Sequence, residues 1–427
     1  MAGTDSVSIF TEGTFEEQIL ELVNYLARSL AEERATYIQP FQDALTVTEG
    51  QKPIAEDLER RRNILTMILK EVKGLGDGSE REIEGFFNLL FSHFLELFPL
   101  DSPETKSHLD TLLHTIASSS EQTTTKYRIL SNLFNAIPRR SGLRLLVYKT
   151  LLQIASENDE LELLGLSDTD VENWLQEWEI SPEEKSAFLK LLVDAFAKCG
   201  EPERSYQFQL SYVRSLPSSS SPAQAAAIDA IAIALRLPSY FNFDELFRLD
   251  AVIAAKDHEL FSLLHIFLND GLAEYKAWAE SHAGAFSKYE LDPSQLQRKI
   301  RLLTLATLGF QNIGRDLPYS LIASGLQVEP SQVETWVIDV IRAGLLSGKL
   351  SQTTQTLHVT RATARSFERE EWELLGKRLQ AWKSGLVGVL EVIAATRKKN
   401  TPEPTQANTS ASSGVETPVP AAQAAVA

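Results

Sequence analysis

A long succession of short amphipathic segments is the feature that most constrains what this chain can fold into. From about residue 14 to residue 310, apolar residues recur at steps of three and four, the period of an α-helix with one buried face. In 126–137, for example, Ile129 and Leu133 share a face, and a second segment of the same kind follows within a few residues. Because such a helix cannot enclose a core alone, the pattern predicts helices stacked pairwise as an α-solenoid, with repeats too diverged to share one length.

The pattern changes near the end of this array. A helix over 299–310 is followed by a shorter one that Gly325 is predicted to stop, and by a third that Pro330 opens. The apolar set of the third helix is Val333, Trp336, Val337, Val340, Ile341 and Leu345. Leu357 and Val359 then alternate with polar residues, which is the period of a strand. Three helices and a β-hairpin predict a winged helix, so the expected fold class is all-α with a small β wing.

The third helix of a winged helix reads DNA only if its exposed face offers cations for phosphates and donors for base edges. The face opposite the apolar set carries Gln332, Thr335, Asp339 and Arg342, with Glu334 beside it. Two carboxylates against one guanidinium repel the DNA backbone. The winged helix is therefore predicted to bind protein and not DNA, and a nucleic-acid-binding winged-helix protein is the alternative from a different class.

A heptad pattern distinguishes the last helical segment, 372–393. Its apolar residues stand at alternating steps of three and four: Trp372, Leu375, Leu379, Trp382, Leu386, Val389 and Ile393. We call these seven residues the C-terminal seam. Glycines at 376, 385 and 388 each cost roughly 1 kcal/mol of helix propensity relative to alanine, so this helix depends on packing for its order. We expect the seam to be a subunit interface in a bundle of helices; the alternative is packing on the chain's own winged helix.

Charge and cysteine content narrow the class of protein. The chain of 427 residues has a formal net charge of −17, which opposes general nucleic-acid binding. Eleven carboxylates and no Lys or Arg fall between Glu157 and Glu184, as expected of a solvated face or of a surface that docks a basic partner. The single cysteine, Cys199, cannot form an intramolecular disulfide, and neither a signal peptide nor a membrane-spanning segment is recognisable. These features predict a cytosolic or nuclear protein.

Short basic clusters stand among the acidic residues. They are Arg60 to Arg62, Arg139 and Arg140 with Arg144, and Arg298 and Lys299 with Arg301. We expect solvated faces or ion pairs between subunits at these positions, and a weak contact with ribosomal RNA is the alternative.

Motifs that would carry catalysis or bind a cofactor are not recognisable. The loop GLGDG, 74–78, lacks the Lys-Ser/Thr of a P-loop and the third glycine of a dinucleotide fingerprint, so a helix–helix turn is predicted there. His258 and His265 stand two helical turns apart without a further ligand nearby, which is too few groups for zinc. Cys199 has no histidine near it in sequence to activate the thiol. We predict no catalytic residue, no cofactor and no metal site.

Helical repeats that run into a winged helix and then into a long amphipathic helix resemble the PCI-domain family. The proteasome lid, the COP9 signalosome and eukaryotic translation initiation factor 3 share this domain. The segments 126–155, 226–252 and 334–386 are similar to the subunit M family of that initiation factor. The last segment is the most specific, because the third helix, the wing and the terminal helix match together.

The resemblance implies a non-enzymatic scaffold subunit of initiation factor 3, which helps recruit initiator methionyl-tRNA and mRNA to the 40S ribosomal subunit in the cytoplasm. The implied partners are other PCI subunits, packed side by side through their winged helices, and MPN-domain subunits, which share a bundle of C-terminal helices. The 40S subunit would be reached through the complex, with no membrane involved. A PCI subunit of the COP9 signalosome or of the proteasome lid is the alternative.

The predicted domain organisation has five parts. They are a flexible N-terminus at 1–13, a helical-repeat region at 14–205, a PCI domain at 206–367, a bundle helix at 368–398 and a disordered tail at 399–427. Within the PCI domain, helical repeats at 206–296 precede the winged helix at 297–367. From Thr401 onwards the tail has four prolines, no Lys or Arg, and no Leu, Ile or Phe, so it cannot bury enough apolar surface to become ordered.

Overall fold

Helices form most of the regular structure in the computed structural model, which describes residues 13–30, 33–46, 52–119, 122–218, 220–366 and 369–399. The helices before the winged helix are α1 Phe15–Leu26, α2 Arg34–Leu45, α3 Leu58–Glu71, α4 Glu80–Leu97, α5 Pro103–Ser118, α6 Thr123–Ala136, α7 Leu143–Glu157, α8 Asp168–Glu177, α9 Pro182–Lys198, α10 Pro202–Ser215, α11 Ser221–Arg236, α12 Asp244–Phe247, α13 Asp250–Ala254, α14 Glu259–Asn269, α15 Leu272–Ser281 and α16 Ala283–Lys288. The winged helix comprises α17 Pro293–Gln311, β1 Asp316–Pro318, α18 Tyr319–Leu326, α19 Val333–Arg342, β2 Leu346–Ser351 and β3 Thr356–Ala362, and α20 spans Arg369–Lys399. The predicted fold class, all-α with a small β wing, is confirmed.

Helix ends follow signals that are visible in the sequence. At the start of α9 the Ser181 hydroxyl accepts a hydrogen bond from the Glu184 amide at 3.2 Å, and the Glu184 carboxylate accepts one from the Ser181 amide at 2.9 Å. This reciprocal capping box satisfies backbone donors that the first turn leaves unpaired. Just after the helix, Gly200 takes a φ of +74°, a left-handed conformation that glycine adopts without strain.

The repeats bury two successive apolar cores. The first extends from Ile19 to Phe208, and the second from Tyr206 to Leu303. Bulky rings fill the first core, where Phe87 and Phe94 of α4 are completely buried. The second core includes the alanine-rich α11, of which Ala227 and Ala230 are completely buried. Adjacent repeats therefore close cores that no single helix pair encloses, as the solenoid pattern predicts.

A third apolar core lies inside the winged helix. Leu305 of α17, Val337 of α19 and Leu357 of β3 are completely buried in it. The same helix α17 also contributes Ile300 and Leu303 to the second core of the repeats. Because one continuous helix serves both cores, the winged helix is built onto the last repeat.

The wing is a three-stranded sheet in the order β1-β3-β2, with both pairs antiparallel. Leu317 of β1 and Leu350 of β2 both stand opposite Leu357 of the central strand. A β-bulge interrupts the β2–β3 pairing between Ser347 and Gly348. A Cβ atom at Gly348 would stand 2.5 Å from the carbonyl oxygen of His358, so this close approach requires glycine.

Two details of the predicted winged helix were wrong. The prediction had a two-stranded hairpin and missed β1, whose three residues, DLP, are too few to show a strand period. Gly325 does not stop α18, which continues to Leu326, because Gln327 takes the left-handed φ of +52° at the C-cap. Gly325 instead allows close packing, since a Cβ there would stand 2.9 Å from Leu308 Cδ1 on α17.

The chain divides after Ser366 into two units. The first holds the repeats and the winged helix, and the second contributes α20. Apart from Gly13 and Lys399, the predicted flexible N-terminus at 1–13 and the predicted disordered tail at 399–427 lie outside the described residues. The remaining domain boundaries stay predictions. Among the described residues, no helix combines the length and apolar character that crossing a bilayer requires.

Candidate protein-interaction surface

The C-terminal seam lies along α20, a helix of 31 residues. All seven seam side chains are exposed, from 37% at Leu375 to 65% at Trp382. A seam of this period is normally covered, because each of its side chains fits between residues of a facing helix. The seam is therefore an apolar ridge of the kind that another helix covers, and its role as a subunit interface stays a prediction.

Sequence reasoning missed further apolar side chains in the C-terminal half of α20, which lie on more than one face outside the seam. Val387, Leu390 and Val392 lie outside the seam, and all three are exposed. The signal was present in the run 386–395, LVGVLEVIAA, in which Glu391 is the one charged residue. A helix that is apolar on several faces is normally buried on several faces. This half of α20 thus has more apolar surface than one facing helix covers.

The face of α19 that would have to read DNA forms contacts with other side chains of the same chain. The Arg298 guanidinium on α17 donates to the Asp339 carboxylate at 2.9 Å. Glu334 lies 3.5 Å from the hydroxyl of Tyr319. The ion pair directs Arg298 to a carboxylate of the same chain.

The cluster Arg60 to Arg62 joins neighbouring helices. The Arg60 guanidinium donates to the backbone carbonyls of Ala44 and Thr46, at 2.7 and 2.6 Å. Arg62 Nε donates to the carbonyl of Leu97 at 2.6 Å, and these carbonyls lie at the ends of α2 and α4. A cation at a helix C-terminus interacts favourably with the helix dipole. The prediction of solvated faces or intersubunit ion pairs was wrong for Arg60 and Arg62.

Two cations also tie the winged helix to the repeats. Lys299 is 2% exposed, and its ammonium donates to the carbonyls of Ala234 and Leu235, at 2.8 and 3.3 Å, at the end of α11. Burial lowers the pKa of Lys299 to about 7. Arg365 donates to the carbonyl of Asp270 at 2.6 Å and to that of Leu303 at 3.1 Å. For Lys299, too, the prediction of a solvated or intersubunit position was wrong.

Groups considered for chemistry have structural roles. The loop GLGDG is a helix–helix turn between α3 and α4, as predicted, and the Tyr25 hydroxyl donates to the Leu75 carbonyl there at 2.8 Å. His258 caps α14 by accepting from the Leu260 amide, whereas His265 lies 3.5 Å from Asp270. Burial raises the pKa of the Cys199 thiol, which disfavours the nucleophilic thiolate. Within the described part of the chain, no three His, Cys, Asp or Glu side chains are grouped for a metal ion.

Comparisons with known proteins agree on one family. A family model described as the C-terminal helix of eIF3 subunit M matches residues 365–393, and the PCI domain model matches residues 279–361. Eukaryotic translation initiation factor 3 subunit M of Phaeosphaeria nodorum is 32% identical over 410 residues, covering 92% of this chain and 89% of the relative. The protein of the same name from Aspergillus oryzae is 33% identical, covering 94% and 90%. That of Dictyostelium discoideum is 30% identical, covering 78% and 82%.

Proposed function

The chain belongs to the subunit M family of eukaryotic translation initiation factor 3, and from this premise we propose that it is a non-enzymatic scaffold subunit of that factor in the cytoplasm. In this role it helps recruit initiator methionyl-tRNA and mRNA to the 40S ribosomal subunit. It acts through the surfaces that it offers to other subunits and not through a reaction of its own.

The exposed C-terminal seam is the observation that carries this proposal. Burying a leucine, isoleucine or valine side chain contributes about 1.5–3 kcal/mol, so a covered seam would hold subunits together strongly. The family model for the C-terminal helix spans the whole seam, since it covers residues 365–393. We assign the seam residues Trp372, Leu375, Leu379, Trp382, Leu386, Val389 and Ile393 to a helical bundle with PCI and MPN subunits.

The winged helix serves as a protein-packing module beside other PCI subunits. Its third helix carries carboxylates on the exposed face, which disfavours direct contact with DNA. Any contact with ribosomal RNA is weak, because Arg60, Arg62 and Lys299 already bind carbonyls of this chain. The 40S subunit is reached through the complex.

A triple substitution of the seam tests the proposal. Leu379→Asp, Trp382→Asp and Leu386→Asp together place three carboxylates on the ridge. We expect the tagged variant to lose the other PCI and MPN subunits and the 40S subunit on affinity purification. The circular dichroism of the isolated chain should change little, because the replaced side chains are exposed.

A matched control places acid on another face of the same helix. Lys377→Asp, Gln380→Asp and Ser384→Asp change the net charge by more than the seam variant does, yet they spare the seam. We expect this control to keep its partners. If the seam variant unfolds as an isolated protein, the ridge belongs to the core of the chain, which is the self-packing alternative.

The identity of the partners separates this proposal from its alternatives. Initiation-factor subunits and 40S subunits on the wild-type chain support the proposal. Cullin-deneddylating or proteolytic machinery would assign the chain to the signalosome or the proteasome lid. A nucleic-acid-binding protein would instead show affinity for RNA or DNA that falls steeply with salt.

A further inference from the structure

A cleft with a volume of about 360 Å³ opens between α6, α7 and α8, far in sequence from the winged helix and the seam. Its wall on α6 and α7 includes Phe134, Arg144 and Tyr148. Its wall on α8 includes Asp170, Trp174 and Glu177. The proposed scaffold function uses none of these groups.

Aromatic rings form a fixed floor in this cleft, which we call the α8 cleft. The centroid of the Trp174 ring lies 4.9 Å from the centroid of the Tyr148 ring and 5.7 Å from that of the Phe134 ring. Behind it the buried Trp178 stacks on Trp174 at 5.8 Å, with the two planes 12° apart. These contacts hold Trp174 in place before any ligand arrives, so ordering this ring adds little to the cost of binding.

The cleft already shows how its rings accept a cation. The guanidinium of the buried Arg144 lies over the ring of Phe134, 4.7 Å from its centroid, and its Nε donates to the carbonyl of Ile137. Arginine over an aromatic face is a favourable electrostatic arrangement. Arg144 of this chain thus covers the ring of Phe134. The ring of Trp174, in contrast, is only partly buried and keeps some exposed surface.

Carboxylates flank the open ring. Asp170, Trp174 and Glu177 stand at positions i, i+4 and i+7 of α8, so they share one face of the helix. Both carboxylates are exposed, and they lie in the region 157–184 that has eleven carboxylates and no Lys or Arg. Arg139 and Arg144 also line the cleft and equal these two carboxylates in number, so the excess of negative charge comes from the acidic region around the cleft.

We propose that the α8 cleft binds an arginine side chain from a basic segment of a partner protein. The guanidinium would stack on Trp174 and form ion pairs with Asp170 and Glu177. Arginine fits better than lysine, because its planar group stacks on a ring and bonds a carboxylate through two N–H groups. This inference goes beyond the proposed scaffold function, since it needs neither the seam nor an assembled complex.

Peptide binding to the full-length chain tests the proposal. The probe is a fluorescein-labelled peptide, Gly-Arg-Gly-Arg-Gly, with a Gly-Lys-Gly-Lys-Gly peptide for comparison, and the readout is anisotropy at low salt. Glu177→Gln should weaken binding of the arginine peptide by about fivefold. This is the contribution to affinity expected of one ion pair at an exposed or partly buried position. The lysine peptide should bind more weakly than the arginine peptide.

Glu172→Gln is the matched control, because Glu172 is exposed on the same helix but about 140° around from Glu177. It removes the same charge from the acidic region and should change the affinity less than twofold. Trp174→Phe, which keeps an apolar ring in the cluster, should weaken binding through poorer stacking. Asp170 is a less clean site, because its carboxylate also accepts from the Ser167 hydroxyl at 2.6 Å.

Three results would overturn the proposal. The first is absence of peptide binding by the wild-type chain up to millimolar concentration. The second is an equal effect of Glu172→Gln and Glu177→Gln, which would mean that only the general acidity of the region matters. The third is tighter binding of a single-stranded RNA oligonucleotide that Glu177→Gln alters, which would make the cleft a nucleic-acid site.

Discussion

Two helices that follow one another in the sequence, α19 and α20, are both amphipathic, yet their apolar faces differ in burial. α19 buries Val333, Val337 and Val340 completely in the core of the winged helix. α20 leaves every residue of its seam exposed. Apolar periodicity identifies a face that must be covered, but it does not say whether the cover comes from the same chain. For the seam, a cover from other subunits stays a prediction.

The largest predicted difference between the two helices comes from a buried charge. Val337→Asp should destabilise the winged helix by about 4 kcal/mol or more, because it places an unpaired carboxylate in a closed apolar core. Leu379→Asp on α20 should change the stability of the isolated chain by less than about 0.5 kcal/mol. Urea denaturation followed by circular dichroism measures both. Equal losses of stability would contradict the difference in burial between α19 and α20.

Glycine substitutions should act with opposite signs in the two regions. Gly348→Ala forces a Cβ to within 2.5 Å of the His358 carbonyl oxygen, which β2 cannot relieve without disturbing its pairing with β3. We expect a loss of about 1–3 kcal/mol. Gly388→Ala on α20 meets no heavy atom within 4 Å and should raise helix stability by up to about 1 kcal/mol. Thermal melts of the two isolated variants, compared with wild type, test the signs.

The buried lysine of the closed region should give stability a pH dependence. The folded pKa of Lys299 is lowered to about 7, so between that pH and the ordinary lysine range the unfolded chain holds a proton that the folded chain lacks. Stability contributed at this site therefore rises with pH above about 7, by at most about 1.4 kcal/mol per pH unit. Comparing urea midpoints at several pH values with those of Lys299→Met isolates the effect. Parallel profiles for the two proteins would show that Lys299 titrates normally.

Much of the fold follows from local signals in the sequence. The Ser181–Glu184 capping box and the stop at Gly200 are short-range features, so the ends of α9 could be predicted. The helical period and the alternation of Leu357 with Val359 were enough for the winged helix. The strand β1 could not be predicted from the sequence, because its three residues acquire a strand conformation only by pairing with β3.

Long-range partners explain what the sequence could not predict about surfaces. Lys299 binds carbonyls 64 and 65 residues earlier, and Arg62 binds one 35 residues later. No local pattern distinguishes such cations from solvated ones, so their burial was missed. The seam could be found because a heptad is local. The further apolar side chains, such as Val387 and Leu390, were missed because only the seam was sought.

Hydrogen exchange of α20 is the measurement that tests most directly whether partners cover the seam. Amide exchange across residues 372–393 is compared by mass spectrometry between the isolated full-length chain and the chain in its affinity-purified complex. We expect fast exchange in the isolated chain and strong protection in the complex, with the core of α19 protected in both. Equal exchange of 372–393 in the two states would contradict a seam buried by other subunits.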